Sequence, residues 1–113
     1  MKRVFICSPH RPPQNLRGHE WYVVAEYNVE FTRKLCKQVI DEGNAPFAAH
    51  LIYPQFLDDS CEVDRNAGIR AGIAFLSVCD EMLVGGDHIS GGMKQEIETA
   101  EKLGIPIKYQ EMK

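Results

Sequence analysis

Glu96 lies in the stretch Met93-Lys94-Gln95-Glu96-Ile97, ahead of Ala100 and Gly104. At roughly 100° per residue, Met93, Ile97, Ala100 and Gly104 form one stripe of a helix, and Glu96 falls on its shoulder between Ala100 and Leu103. Lys94, Glu98, Glu101 and Lys102 point elsewhere, toward water. A carboxylate beside an apolar face is partly desolvated, which raises its pKa, while a nearby helix start pulls the pKa down. Such a group can serve as a nucleophile or general base. It can equally be a boundary residue whose stem packs and whose head reaches solvent.

Ser90-Gly91-Gly92 opens the same helix. Small residues there leave backbone N–H groups free for an anion such as a phosphate, although capping by Ser90 accounts for them equally well. His10, His50 and His88 each follow an apolar run that reads as a strand, and so share one edge of a sheet. His10 and His50 are candidates for hydrogen bonds to a ligand. With Asp58, Asp59 and Asp87 the histidines match no metal-ligand spacing, so no metal is assigned. Adjacent carboxylates at Asp58 and Asp59 could hold sugar hydroxyls or supply a general acid, or lie in a solvated turn. Ser8 and Arg11 could hold a phosphate by hydrogen bond and ion pair. Trp21, Tyr22 and Tyr27 suit core, a subunit contact or a stacking surface for a base.

The elements that must position these groups alternate in type. Val4-Phe5-Ile6-Cys7 reads as a strand buried on both faces. A long helix is expected from about Glu20 to Glu42, with Trp21, Val24, Ala25, Phe31, Leu35, Val39 and Ile40 at helical spacing and Gly43 just past its end. Asn28 and Thr32 lie close to that stripe. Ala45 to Ala49 reads as a short second strand, limited by Pro46, and His50 to Asp59 as a loop. A helix from about Glu62 to Val78 should face Ile69, Ile73 and Leu76 inward, with Gly68 and Gly72 leaving room for close packing. Glu81 to Val84 reads as a third strand, the Ser90 helix as running to Leu103, and Ile105 to Tyr109 as a closing strand.

This pattern predicts an α/β fold: a small Rossmann-like, flavodoxin-like parallel sheet of about four strands with helices on both faces. Ligands of such sheets bind beyond the carboxyl ends of the strands. Ser8 to Arg11, Pro46 to Asp59 and Gly85 to Glu96 would meet there.

Composition sets bounds. A chain of 113 residues with 44% hydrophobic and 26% charged residues fits one globular domain over residues 1–113. Thirteen Lys+Arg against 16 Asp+Glu, net −3, argue against binding duplex nucleic acid, which needs a basic face. No apolar run approaches the roughly 20 residues of a membrane span, and no signal peptide is legible at Met1. A cytoplasmic location is therefore expected. The four cysteines, 7, 36, 61 and 79, show no Cys-x-x-Cys pair and read as reduced small hydrophobes. Cys7 stands out because it sits where a strand ends.

Three stretches resemble the nucleoside 2-deoxyribosyltransferase-like superfamily, and most nearly its small phage and prophage members of unassigned activity. They are Val4 to Arg11, Glu42 to His50 with Tyr53 to Asp59, and Cys79 to Val84 leading into Ser90 to Glu96. In deoxynucleotide N-glycosidases of that superfamily a Ser-x-Gly-Val-Gly-Tyr-Glu segment opens the last helix and its Glu does the chemistry. Ser90, Gly92 and Glu96 occupy the matching places, and Lys94 replaces the second glycine. The resemblance implies cleavage or transfer at a nucleoside N-glycosidic bond, without a cofactor. Glu96 would attack the anomeric carbon, and Asp58 or Asp59 would protonate or position the leaving base and sugar hydroxyls. Gly91, Gly92, Ser8, Ser90 and Arg11 would receive a 5′-phosphate, and His50 matches a histidine closing the second strand. The partner implied is a small nucleoside or nucleotide, and a sheet this small points to a homo-oligomer. The alternative is a protein that holds a nucleotide-derived ligand without turning it over. A purely structural role is a third reading.

Overall fold

The computed structural model describes residues 1–111. Four strands, β1 (Arg3–Cys7), β2 (Ala45–Phe47), β3 (Glu81–Gly85) and β4 (Ile107–Gln110), form one parallel sheet in the order β2-β1-β3-β4. The helices are α1 (Gly18–Asp41), α2 (Ala49–Ile52), α3 (Glu62–Leu76) and α4 (Gly91–Leu103), with a 3₁₀ turn at Tyr53–Gln55. The Rossmann-like architecture read from the sequence is the one observed.

Alternation along the strands divides the core into two layers. Val4 and Ile6 of β1 and Leu83 of β3 face Phe31, Leu35 and Val39 of α1. Phe5, Cys7, Met82 and Val84 face the other way, against Leu76 of α3 and Met93, Ile97 and Ala100 of α4. Helices therefore cover both faces. The central strands are fully sandwiched, which is why they read as unbroken apolar runs.

Several boundaries differ from expectation. Strand β2 is three residues long and half-buried. Pro46 cannot donate to a ladder, and from Ala49 the chain coils into α2, so His50 sits on a helical turn. Ile40 is 58% exposed although Val39 beside it is buried, because it lies about 100° round the helix from Val39. Ile69 and Ile73 are only half-buried, and Leu76 alone of that trio reaches the core. Helix α4 ends where Gly104 takes a left-handed φ of 72°, a conformation glycine adopts without steric cost. At the other end of β3, a Cβ on Gly85 would collide with Leu35 and Phe31. That glycine lets α1 lie close to the strand end from which the loop to α4 departs.

Candidate functional site

The order β2-β1-β3-β4 reverses direction between β1 and β3, and at such a switch point the following loops diverge and leave a crevice. A cavity of about 1140 Å³ lies there. Its walls come from the loop after β1, the start of α1, the α2 and 3₁₀ segment with its following loop, part of α3, and the first turns of α4. Among the residues expected at a site, His10, Arg11, His50, Asp59, Ser90, Gly91, Gly92 and Glu96 line it.

Glu96 stands on the second turn of α4. Its stem packs with the stripe of Met93, Ile97 and Ala100, and its Oε1 is buried with no hydrogen-bond partner. Burial pushes the carboxyl up from 4.5 to about 7, and the Cys7 thiol at the end of β1 partly opposes the shift. Burial, then the neighbouring Glu96, push the Cys7 thiol well above its usual range, so this cysteine is a packed neutral group. Its thiol also reaches the Met93 carbonyl at 3.7 Å.

At the head of α4, Ser90 caps the helix, its Oγ accepting the Met93 N–H at 3.3 Å. The N–H groups of Gly91 and Gly92 have no intrahelical acceptor, and the space where their Cβ atoms would stand is open. The positive end of the helix dipole thus faces the cavity beside Glu96.

The opposite wall is a histidine cluster. His10 Nε2 bonds Asp59 Oδ2 at 2.9 Å. The His50 ring stacks on His10, centroids 4.7 Å apart and planes 6° from parallel. Burial above all, then the neighbouring His10, lowers His50 from 6.5 to about 4, against an opposing pull from Asp59. His50 is therefore neutral in ordinary buffers. The backbone of this wall is tied down too, as Asn28 Nδ2 donates to the His10 carbonyl at 3.3 Å. Arg11 and Arg65 both donate to the Asp59 carbonyl, each at 3.4 Å. Two guanidinium groups thereby converge on the rim with no carboxylate closing an ion pair on either among the described residues. No group of three His, Cys, Asp or Glu side chains among the described residues is arranged to hold a metal ion.

Two expected residues are not brought to the cavity. Ser8 is fully buried, and its hydroxyl lies 2.7 Å from Thr32 Oγ1. Thr32 in turn donates to the Asn28 carbonyl at 2.9 Å, so Ser8 is the donor of the pair and its side chain is committed to α1. Asp58 turns away into its own loop, its Oδ1 accepting from the Ser60 N–H at 2.9 Å and the Ser60 hydroxyl at 2.6 Å. Those bonds hold its carboxyl below the ordinary range. Of the acidic pair, only Asp59 faces the site.

The cavity also uses residues that sequence reasoning passed over. Tyr53 lines it with a buried hydroxyl that has no partner, and Arg17 and Arg65 contribute charge. Arg65 had a legible signal: it is a cation in the first turn of a helix, where acids are favoured. Trp21 and Tyr22, for which the sequence left core, a subunit contact or a stacking surface open, pack edge to face at 5.3 Å and line the cavity.

Comparison with solved structures finds a 2-deoxyribosyltransferase from the psychrotolerant bacterium Bacillus psychrosaccharolyticus. The two chains share 14% identity and superpose with a TM-score of 0.58 over 96% of this chain and 72% of that one. The likeness is one of fold. No curated protein matches this sequence. A family model does, across residues 2–110. On that match the chain belongs to the family described as a domain of unknown function, DUF7768.

Proposed function

We propose that this protein cleaves or transfers at the N-glycosidic bond of a nucleoside or nucleotide, with Glu96 as nucleophile. One observation carries the reading: a buried carboxyl with an unpaired oxygen in the wall of a large cavity at the switch point of the sheet. In this scheme a Glu96 carboxylate oxygen bonds to the anomeric carbon. The C–N bond breaks and its electron pair leaves with the base, which takes up a proton. Water or a second base then displaces the glutamyl ester. A dry carboxylate gains most as positive charge develops on the sugar, because that charge is the partner its surroundings lack. Asp59, held by His10, takes the role of positioning the leaving base or sugar hydroxyls, since Asp58 is occupied by Ser60. A 5′-phosphate would meet the Gly91 and Gly92 N–H groups, with Ser90 and Arg11 beside them. Exposed Tyr22, Val23 and Tyr27 on α1 would suit a homo-oligomer contact.

A second reading is favoured by the same carboxyl. A glutamate raised to about 7 is protonated in a large fraction of molecules at neutral pH, and in that form it donates a hydrogen bond but does not attack. A nucleotide-derived ligand would then be held without turnover. Incubation with a panel of nucleosides and 5′-monophosphates, followed by chromatography, separates the two. Release of free base, abolished in Glu96→Gln, supports the enzyme; a ligand recovered unchanged in mass supports binding alone. No base release and no binding across the panel would reject both.

A further inference from the structure

Three buried side-chain polar atoms among the described residues have no hydrogen-bond partner: His10 Nδ1, Tyr53 Oη and Glu96 Oε1. All three residues line the same cavity. Leaving a buried polar group unpaired is costly, so their coincidence marks where a ligand's polar groups belong. Each atom is closed to solvent, so a ligand would have to displace part of the lining to reach it. The three differ in what they accept. A tyrosine hydroxyl can donate or accept, and Glu96 serves the sugar in the reading above. His10 is more restrictive. Its Nε2 faces the Asp59 carboxylate at 2.9 Å, an acceptor only, so Nε2 carries the hydrogen and Nδ1 of the neutral ring is left as a bare lone pair.

Topology assigns the parts of the ligand. Glu96 and the Gly91-Gly92 turn share α4, which places sugar and phosphate on the β3 side of the switch point. His10 and Tyr53 come from the segments after β1 and β2, among the flat faces of His50, Trp21 and Tyr22, which suit a planar base. We propose that His10 Nδ1 accepts a hydrogen bond from the exocyclic amino group of the base, so that the site distinguishes such a base from the same ring lacking that group. Asp59 acts here as a positioning residue that fixes the histidine tautomer. This inference rests on the nucleoside reading but concerns binding rather than turnover.

The test compares ligands that differ only by deletion of the amino group: adenosine against purine riboside, and cytidine against 2-pyrimidinone riboside, each also as the 5′-monophosphate. Dissociation constants are measured by calorimetry at pH 8.5 on the wild-type protein, with products checked by chromatography. The amino-bearing member of at least one pair should bind about tenfold or more tightly. In His10→Phe, which keeps a ring against His50 and removes the acceptor, that ratio should fall to within about twofold. Equal affinity within both pairs in the wild type overturns the inference and leaves the nucleoside reading standing. So does a His10→Phe protein that loses discrimination for sugar hydroxyls, tested with 2′,3′-dideoxyadenosine, and keeps it for the amino group. Failure of every nucleoside and nucleotide to bind overturns both. If His10→Phe does not fold, equal affinity within both pairs in the wild type still overturns the inference.

Discussion

His50 and Glu96 line one cavity and carry opposite titration penalties: burial lowers the histidine to about 4 and raises the glutamate to about 7. Burial favours the neutral form of each, and each makes stability depend on pH with a different sign. For Glu96 the folded pKa is above its ordinary 4.5. Its favourable contribution is present below that value and is lost as pH rises through 7. For His50 the folded pKa is below its ordinary 6.5, so its contribution is present above 6.5 and is lost as pH falls through 4.

The two slopes oppose each other between pH 4.5 and 6.5. The wild-type melting temperature should therefore change little across that window through these two groups. Glu96→Gln removes one slope and should lose stability on acidification, while gaining relative to wild type at pH 8 by up to about 3 kcal/mol. His50→Gln should show the reverse trend in the acid window. Melting curves in matched ionic strength from pH 4 to 8.5 check both. Parallel curves for wild type and Glu96→Gln would mean that the carboxyl is not buried.

Gly85→Ala should destabilise the fold by about 1–3 kcal/mol, because its Cβ would enter the space of Leu35 and Phe31. Chemical denaturation measures it. The double variant with Leu35→Ala should cost less than the sum of the two single changes, since the clash is with that side chain.

Thr32→Val replaces the hydroxyl that receives the Ser8 hydrogen. With Ser8 fully buried, the orphaned donor should cost about 1–3 kcal/mol. The double variant with Ser8→Ala should cost less than the sum of the two single changes, and a double-mutant cycle reads that coupling. Ligand binding in the folded double variant should persist, as neither hydroxyl lines the cavity.

Arg11→Gln should weaken binding of a 5′-monophosphate more than binding of the corresponding nucleoside, by about three- to tenfold in the ratio. Raising ionic strength should shrink that difference, because the guanidinium sits at the rim. Titration of both ligands at two salt concentrations provides the comparison.

Much of this architecture was legible in the residues. Val4 to Cys7 and Glu81 to Val84 are unbroken apolar runs because helices cover them on both sides, and Gly104 marks the stop of α4. The placement of Glu96 on the shoulder of an apolar stripe followed from helical geometry alone. What escaped was pairing across long separations. Asp58 is held by Ser60 only two residues away, but Asp59 meets His10, 49 positions distant, which no local pattern announces. Ser8 looked like a phosphate ligand because it follows a strand, but α1 passes close enough to claim its hydroxyl. The coil from Ala49 was hidden for the opposite reason: Ala and Leu suit either state, and the decision came from the end of the β2 ladder.

The separate ancestry of the cavity walls in the chain has a further consequence. The acid rides on a helix locked into the core, while His10, Arg11 and Tyr53 ride on connecting segments outside the sheet. Changes in those connectors can reshape the cavity without unsettling the scaffold or moving the acid.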